Sequence, residues 1–125
     1  YMVGMTVCYD MRFPALYRDL ALAGAQLITV PSSFTVPTGQ AHWHVLLRAR
    51  AIETGCFVLA PAQHGVHEDG RETYGHSVVI NPWGEVVAEQ ADGEGLLMAT
   101  LDLNQTAQAR KRVPSLQHAR PYHPP

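Results

Sequence analysis

The sequence predicts an α/β fold with a largely parallel sheet, on three observations. Apolar runs at Val3 to Cys8 (VGMTVC), Gln26 to Pro31 (QLITVP) and Cys56 to Ala62 (CFVLAPA) carry almost no polar alternation, as strands covered on both faces do. Stretches with apolar residues at helical spacing separate these runs. The resulting β-α-β-α-β order with short connections is the pattern of parallel pairing through right-handed crossovers. Beyond Ala62 the period changes to short runs punctuated by turn residues.

The first strand ends at a polar turn, Tyr9 to Arg12, and passes into a helix. Pro14 suits a first helical turn, and Leu16, Tyr17, Leu20, Ala21 and Ala23 recur at helical spacing until Gly24. After the second strand, Ser32 to Gly39 (SSFTVPTG) reads as a loop at the strand's carboxyl end, where α/β folds place ligands. A second helix is expected from Gln40 to Thr54, with Trp43, Leu46, Leu47, Ala51 and Ile52 on its apolar stripe and Gly55 as its stop. The third strand leads to a polar loop, Gln63 to Tyr74. His76 to Ile80 and Glu85 to Glu89 then read as strands joined by the turn Asn81-Pro82-Trp83-Gly84. Leu96 to Leu103 (LLMATLDL) reads as a sixth strand, Asn104 as the cap of a last helix from Gln105 to Arg112, and residues 114–125 as an extended tail.

Two substantial helices give such a sheet one helical layer, yet its strands point apolar residues both ways. At about 25 cal/mol per Å² an uncovered second face is a large cost. Its cover is expected from another segment of a longer parent chain or from a second copy. Tyr1 opens directly onto an apolar run with neither cap nor leader, which also reads as a piece of something longer.

Composition narrows the function classes. A chain of 125 residues fits one domain, and 46% hydrophobic against 16% charged residues excludes disorder and a membrane span. Nine Lys plus Arg against eleven Asp plus Glu leave no basic excess for nucleic acid. Two cysteines without paired spacing and no signal peptide point to a reducing compartment, the cytoplasm.

Cys8 is the candidate nucleophile. It sits where a strand meets a helix start, so free N–H groups and the helix dipole would favour a thiolate, and the next backbone N–H, of Tyr9, faces a developing oxyanion. Free cysteines more often simply pack, and Cys56, inside an apolar strand, reads that way.

The stretch Cys8 to Pro14 (CYDMRFP) resembles the nucleophile motif of the nitrilase superfamily of carbon-nitrogen hydrolases. Thr38 to Trp43, Leu46 to Thr54, and Tyr74 to Ser77 with Asn81 to Gly84 agree with it in order, so the resemblance runs from about Val3 to Tyr122. Within the superfamily, LLRARAIET, AQHG and YGHS are most similar to the branch of deaminated-glutathione amidases and omega-amidases. The resemblance implies a four-layer αββα sandwich, of which this chain supplies roughly the C-terminal half. It implies hydrolysis of a small-molecule amide through a thioester on Cys8, with the Tyr9 N–H in the oxyanion hole. Ser32, Ser33, Phe34 and Thr35 lie where the family's substrate loop lies, and Arg12 is a candidate to face an anionic substrate. It implies neither metal nor organic cofactor, and a homo-oligomer.

The family's general-base glutamate, its lysine and an assisting second glutamate all precede the cysteine motif by many residues. Only seven residues precede Cys8 and none is Glu or Lys, while Lys111, the sole lysine, lies far downstream in the last helix. One member of the triad is therefore present, and the missing N-terminal half of the domain is an expected partner. His44 stands where close relatives usually carry an acid, which is read as a changed local ion pair. Arg12 with Asp10, and Arg48 or Arg50 with Glu53, are expected to form structural ion pairs.

Three further readings compete. A truncated homologue without catalysis, dimerising through its exposed sheet, is the first. Metal binding by His42, His44, His64, His67 and His76 is weak, because positions two apart on a helix point about 200° from one another. A self-sufficient Cys–His hydrolase needs a histidine bonded to Cys8.

Overall fold

The computed structural model describes residues 1–123. Strands β1 (Val3–Met5), β2 (Leu27–Thr29) and β3 (Phe57–Ala60) pair in parallel, with Val3 opposite Leu27 and Leu27 opposite Phe57. Helices α1 (Pro14–Leu22) and α2 (Val36–Thr54) make the crossovers. A hairpin of β4 (His64–Val66) and β5 (Glu72–Tyr74) forms its own small sheet. Strand β6 (Ser77–Ile80) then joins β3 antiparallel, and β7 (Val86–Gln90) completes the order β1-β2-β3-β6-β7. The expected α/β class is the observed one.

Both helices lie on one face of the sheet. Ile28, Val58, Val78 and Ile80 meet Tyr17 and Ala21 of α1 and Trp43, Leu47 and Ala51 of α2, all buried. Burying side chains of this size contributes about 1.5–3 kcal/mol each, and Trp43 also satisfies its indole by donating to His76 O at 2.8 Å. Alternate residues Val3, Met5, Leu27, Phe57 and Leu59 point the other way. There, Phe57 and Leu27 are buried whereas Met5 is 81% exposed, so the second face is covered only at one end.

Several boundaries differ from the sequence reading. Strand β1 stops at Met5. The chain stays alongside the extension of β2, with the N–H of Thr6 on Thr29 O (3.0 Å) and that of Cys8 on Pro31 O (2.9 Å). It then coils into a 3-10 helix, Cys8–Arg12. Helix α2 begins at Val36, not Gln40. Pro37 falls in the first turn, where its missing N–H costs nothing, and Gly39 is there because a Cβ would collide with the Tyr74 ring. The polar loop from Gln63 contains the β4–β5 hairpin, whose three-residue strands are too short to show a period.

The sixth strand is not formed. Residues 96–103 run unpaired over the second face, where Leu101 and Leu103 share a groove with Val3, Leu27 and Leu59. The run is apolar because it partly covers a sheet, and burial by covering leaves no alternation that distinguishes it from burial by pairing. Helix α3 (Asn104–Arg112) follows, but Asn104 does not cap it. Leu103 occupies the cap position, and the Asp102 carboxylate takes the Asn104 N–H at 3.0 Å. The tail is not extended from Pro114: residues 115–118 turn, Arg18 donates to Leu116 O at 2.8 Å, and Leu116 packs on the core. Pro124 and Pro125, which close the expected tail, lie outside the described residues.

Candidate active site

The turn at Cys8 is built by its neighbours. Val7 is extended (φ −142°, ψ 127°), Cys8 takes φ +45°, and Asp10 closes the turn by accepting the Val7 N–H on its carboxylate at 2.9 Å. A side-chain-bearing residue in the left-handed region is strained, and such strain persists only when surroundings over-determine it. They do here. Cys8 N–H is bonded to Pro31 O, and the buried Arg50 holds the turn from below by donating to Met11 O at 2.8 Å. Arg50 also pairs with Glu53 at 2.7 Å, the expected ion pair, whereas Arg48 donates to Gly84 O at 2.7 Å.

The expected dipole support differs from what the structure shows. Cys8 heads a five-residue 3-10 helix, and the α-helix proper begins only at Pro14. A helix dipole acts within its first turn, so α1 does not reach the sulfur.

Arg12 does not pair with Asp10, whose carboxylate is already committed to Val7. Its guanidinium lies over the rings of Tyr9 (5.3 Å) and Phe34 (5.5 Å) and 3.3 Å from His42 Nδ1.

Cys8 is half-buried on the wall of an open cleft of about 800 Å³ at the carboxyl ends of β2 and β3. Ser32 and Ser33 share that wall. Ser32 Oγ donates to Val30 O at 3.0 Å, whereas Ser33 Oγ is buried without a partner. Tyr9 is next in the turn, with an exposed side chain and a backbone N–H in the first turn of the 3-10 helix, where intrahelical acceptors are lacking. Phe34, Thr35 and Arg12 do not line the cleft. Phe34 is buried with its ring centroid 5.0 Å from that of Trp43, and Thr35 bonds Thr38 at 2.9 Å at the start of α2.

The opposite wall escaped the sequence reading. It is formed by Gln63, His64 and His67 of the hairpin arm, Ser77 of β6, and Gln90 with Gly93 to Gly95 after β7. Its signals were the AQHG and YGHS stretches, which hold Gln63, His64 and Ser77 but read in the sequence only as family marks, and the number of histidines, which fits metal weakly. The structure gives them separate partners: His44 pairs with Glu89 at 2.9 Å, His64 lies 2.9 Å from Asp92, and His76, edge-on to His44, stacks on Tyr74 with ring centroids 3.8 Å apart. Among the described residues no group of three or more His, Cys, Asp or Glu side chains could hold a metal ion, and no histidine hydrogen-bonds the Cys8 sulfur. An acid at position 44 would oppose Glu89, which explains why histidine is at home there. Cys56 is the contrasting thiol. It is fully buried, and burial pushes its pKa up, against the lowering effect of Thr54 and Arg110.

No helix among the described residues is long and apolar enough to cross a membrane. The carbon-nitrogen hydrolase family model matches residues 1–111. Deaminated glutathione amidase of Homo sapiens is 56% identical over 119 residues, which are 95% of this chain and 36% of that protein. The crystal structure of the C. elegans NitFhit protein superposes with a TM-score of 0.91 at 47% identity, covering 94% of this chain and 29% of that one. A Saccharomyces cerevisiae member of branch 10 of the nitrilase superfamily gives a TM-score of 0.84 at 38% identity over 90% of this chain and 41% of its own. This chain thus spans well under half of each of these relatives.

Proposed function

The chain belongs to the carbon-nitrogen hydrolase family, and on that premise we propose that it carries the nucleophile half of a site that hydrolyses a small-molecule amide. Cys8 attacks the amide carbon, the carbonyl oxygen becomes an oxyanion held by the Tyr9 N–H, and the amine or ammonia leaves. Water then releases the acid from the thioester. Ser32 and Ser33 border the acyl group. The general base and the lysine are contributed by a preceding segment that would also cover the open sheet face, completing an αββα sandwich. Deaminated glutathione or an omega-amide is the proposed substrate, the first supported by the 56% identity to a deaminated glutathione amidase.

One observation carries this reading. A strained turn presents Cys8 on a cleft at the carboxyl ends of parallel strands, while the other cysteine is sealed in the core. Iodoacetamide should modify Cys8 at least tenfold faster than Cys56, on the order expected from exposure and thiolate access. In the protein expressed from its complete gene, Cys8→Ala should abolish amide turnover. Equal labelling of the two cysteines, or turnover surviving Cys8→Ala, would overturn the proposal.

A further inference from the structure

We infer that His67 is a specificity-determining residue of the same cleft, donating from Nδ1 to a carboxylate carried by the acyl part of the substrate, distal to the amide. The inference rests on the hydrolase reading above.

Four ionisable side chains line the cleft: Cys8, His64, His67 and Glu94. Cys8 is the proposed nucleophile, His64 lies beside Asp92 at 2.9 Å, and Glu94 is exposed at the rim. His67 is left without a carboxylate partner among the described residues, on a wall it shares with the neutral side chains of Gln63, Ser77 and Gln90.

Its ring is held at one end only. Nε2 lies 2.9 Å from Thr73 Oγ1, and Thr73 is itself 3% exposed. The other acceptor near that hydroxyl is Gly65 O at 3.5 Å, outside the usual O–H···O range of about 2.5–3.0 Å. The shorter contact favours Thr73 Oγ1 as donor to Nε2, the arrangement that leaves the ring N–H on Nδ1. No protein group accepts from Nδ1 among the described residues. A histidine locked at one nitrogen by a buried hydroxyl, with the other nitrogen open, is arranged to donate to something the chain does not contain.

The support beneath Thr73 is rigid. Thr73 bridges to Thr35, Tyr74 N–H bonds Phe34 O at 2.9 Å, and the Tyr74 ring abuts Gly39 of α2. The arm that carries His67 is thus referenced to the same loop that carries Ser32 and Ser33.

The test compares a matched pair of amides, glutaramate and butyramide, on the protein expressed from its complete gene. His67→Ala should lower the ratio of kcat/KM for glutaramate over butyramide by about ten- to a hundredfold, the range for a hydrogen bond to a charged group, through KM for glutaramate. His67→Asn places an amide nitrogen near the position of Nδ1 and should restore most of the ratio. In parallel, glutarate should protect Cys8 from iodoacetamide better than butyrate does, and His67→Ala should erase that difference. A ratio unchanged in His67→Ala, or equal losses on both amides, would overturn the inference. Absence of turnover with either amide would sink the hydrolase reading instead, and the protection assay would still decide the role of His67.

Discussion

Tyr17 shows at the residue scale how one buried group ties the turn to the core. Its hydroxyl bonds Thr6 Oγ1 at 2.6 Å, and burial, opposed by that bond, pushes its pKa from 10.0 up to about 12. The folded state therefore favours the protonated phenol. The associated stability is fully present below pH 10 and is lost as pH rises toward 12, amounting to on the order of 3 kcal/mol. The urea midpoint should fall across that window in the native protein, and Tyr17→Phe should flatten the fall. Cys8 was visible at this scale through the motif CYDMRFP, since its place between an apolar run and Pro14 fits a packed cysteine as well. Its φ of +45° was not visible, since the residue types that announce such a conformation, glycine and asparagine, are absent there.

Among elements, α3 is held by buried Thr106 and Ala109, by Arg112 lying 4.5 Å from the Trp83 ring centre, and above all by the hydrogen bonds of one side chain. Arg110 donates through Nε to Thr54 O at 3.0 Å, and through Nη2 to Ala25 O at 2.6 Å and to Cys56 Sγ at 3.1 Å. One guanidinium thus joins α3 to the end of α2, the start of β3 and the turn before β2. Arg110→Ala should cost about 2–3 kcal/mol in chemical denaturation by leaving those carbonyls only the weak Cys56 S–H as donor. Arg110→Lys should recover little, because an ammonium cannot span the same fork. Helix α3 itself was legible in the sequence, but its grip was not. Basic residues at a helix end fit the dipole equally well, and nothing in Arg110-Lys111-Arg112 tells which one turns inward. The hairpin arm was illegible for a different reason: three-residue strands carry no countable period, and Gly70 at φ +78° reads the same in a loop as in a turn.

For the whole molecule, apolar runs told which segments were buried and not how. QLITVP and CFVLAPA became β2 and β3, whereas the equally apolar LLMATLDL lies across the sheet without joining it. Partial cover leaves Val3 at 41% and Met5 at 81% exposure, on the face where the proposed preceding segment would pack. The expressed 125-residue chain is accordingly expected to show no amide turnover, even where circular dichroism shows it folded, while the product of the complete gene turns over. Turnover by the short chain, lost on Cys8→Ala, would mean that a base lies within these residues after all.

Crowding between Gly39 and Tyr74 limits how this binding region can vary. With bare backbone pressed to an aromatic ring, the arm has no slack to tilt or slide against its supporting helix. Its free end is the exposed bend from Glu68 to Gly70, where lengthening disturbs nothing beneath it. Changes in the arm's length are therefore absorbed at the tip, while the root stays invariant in shape.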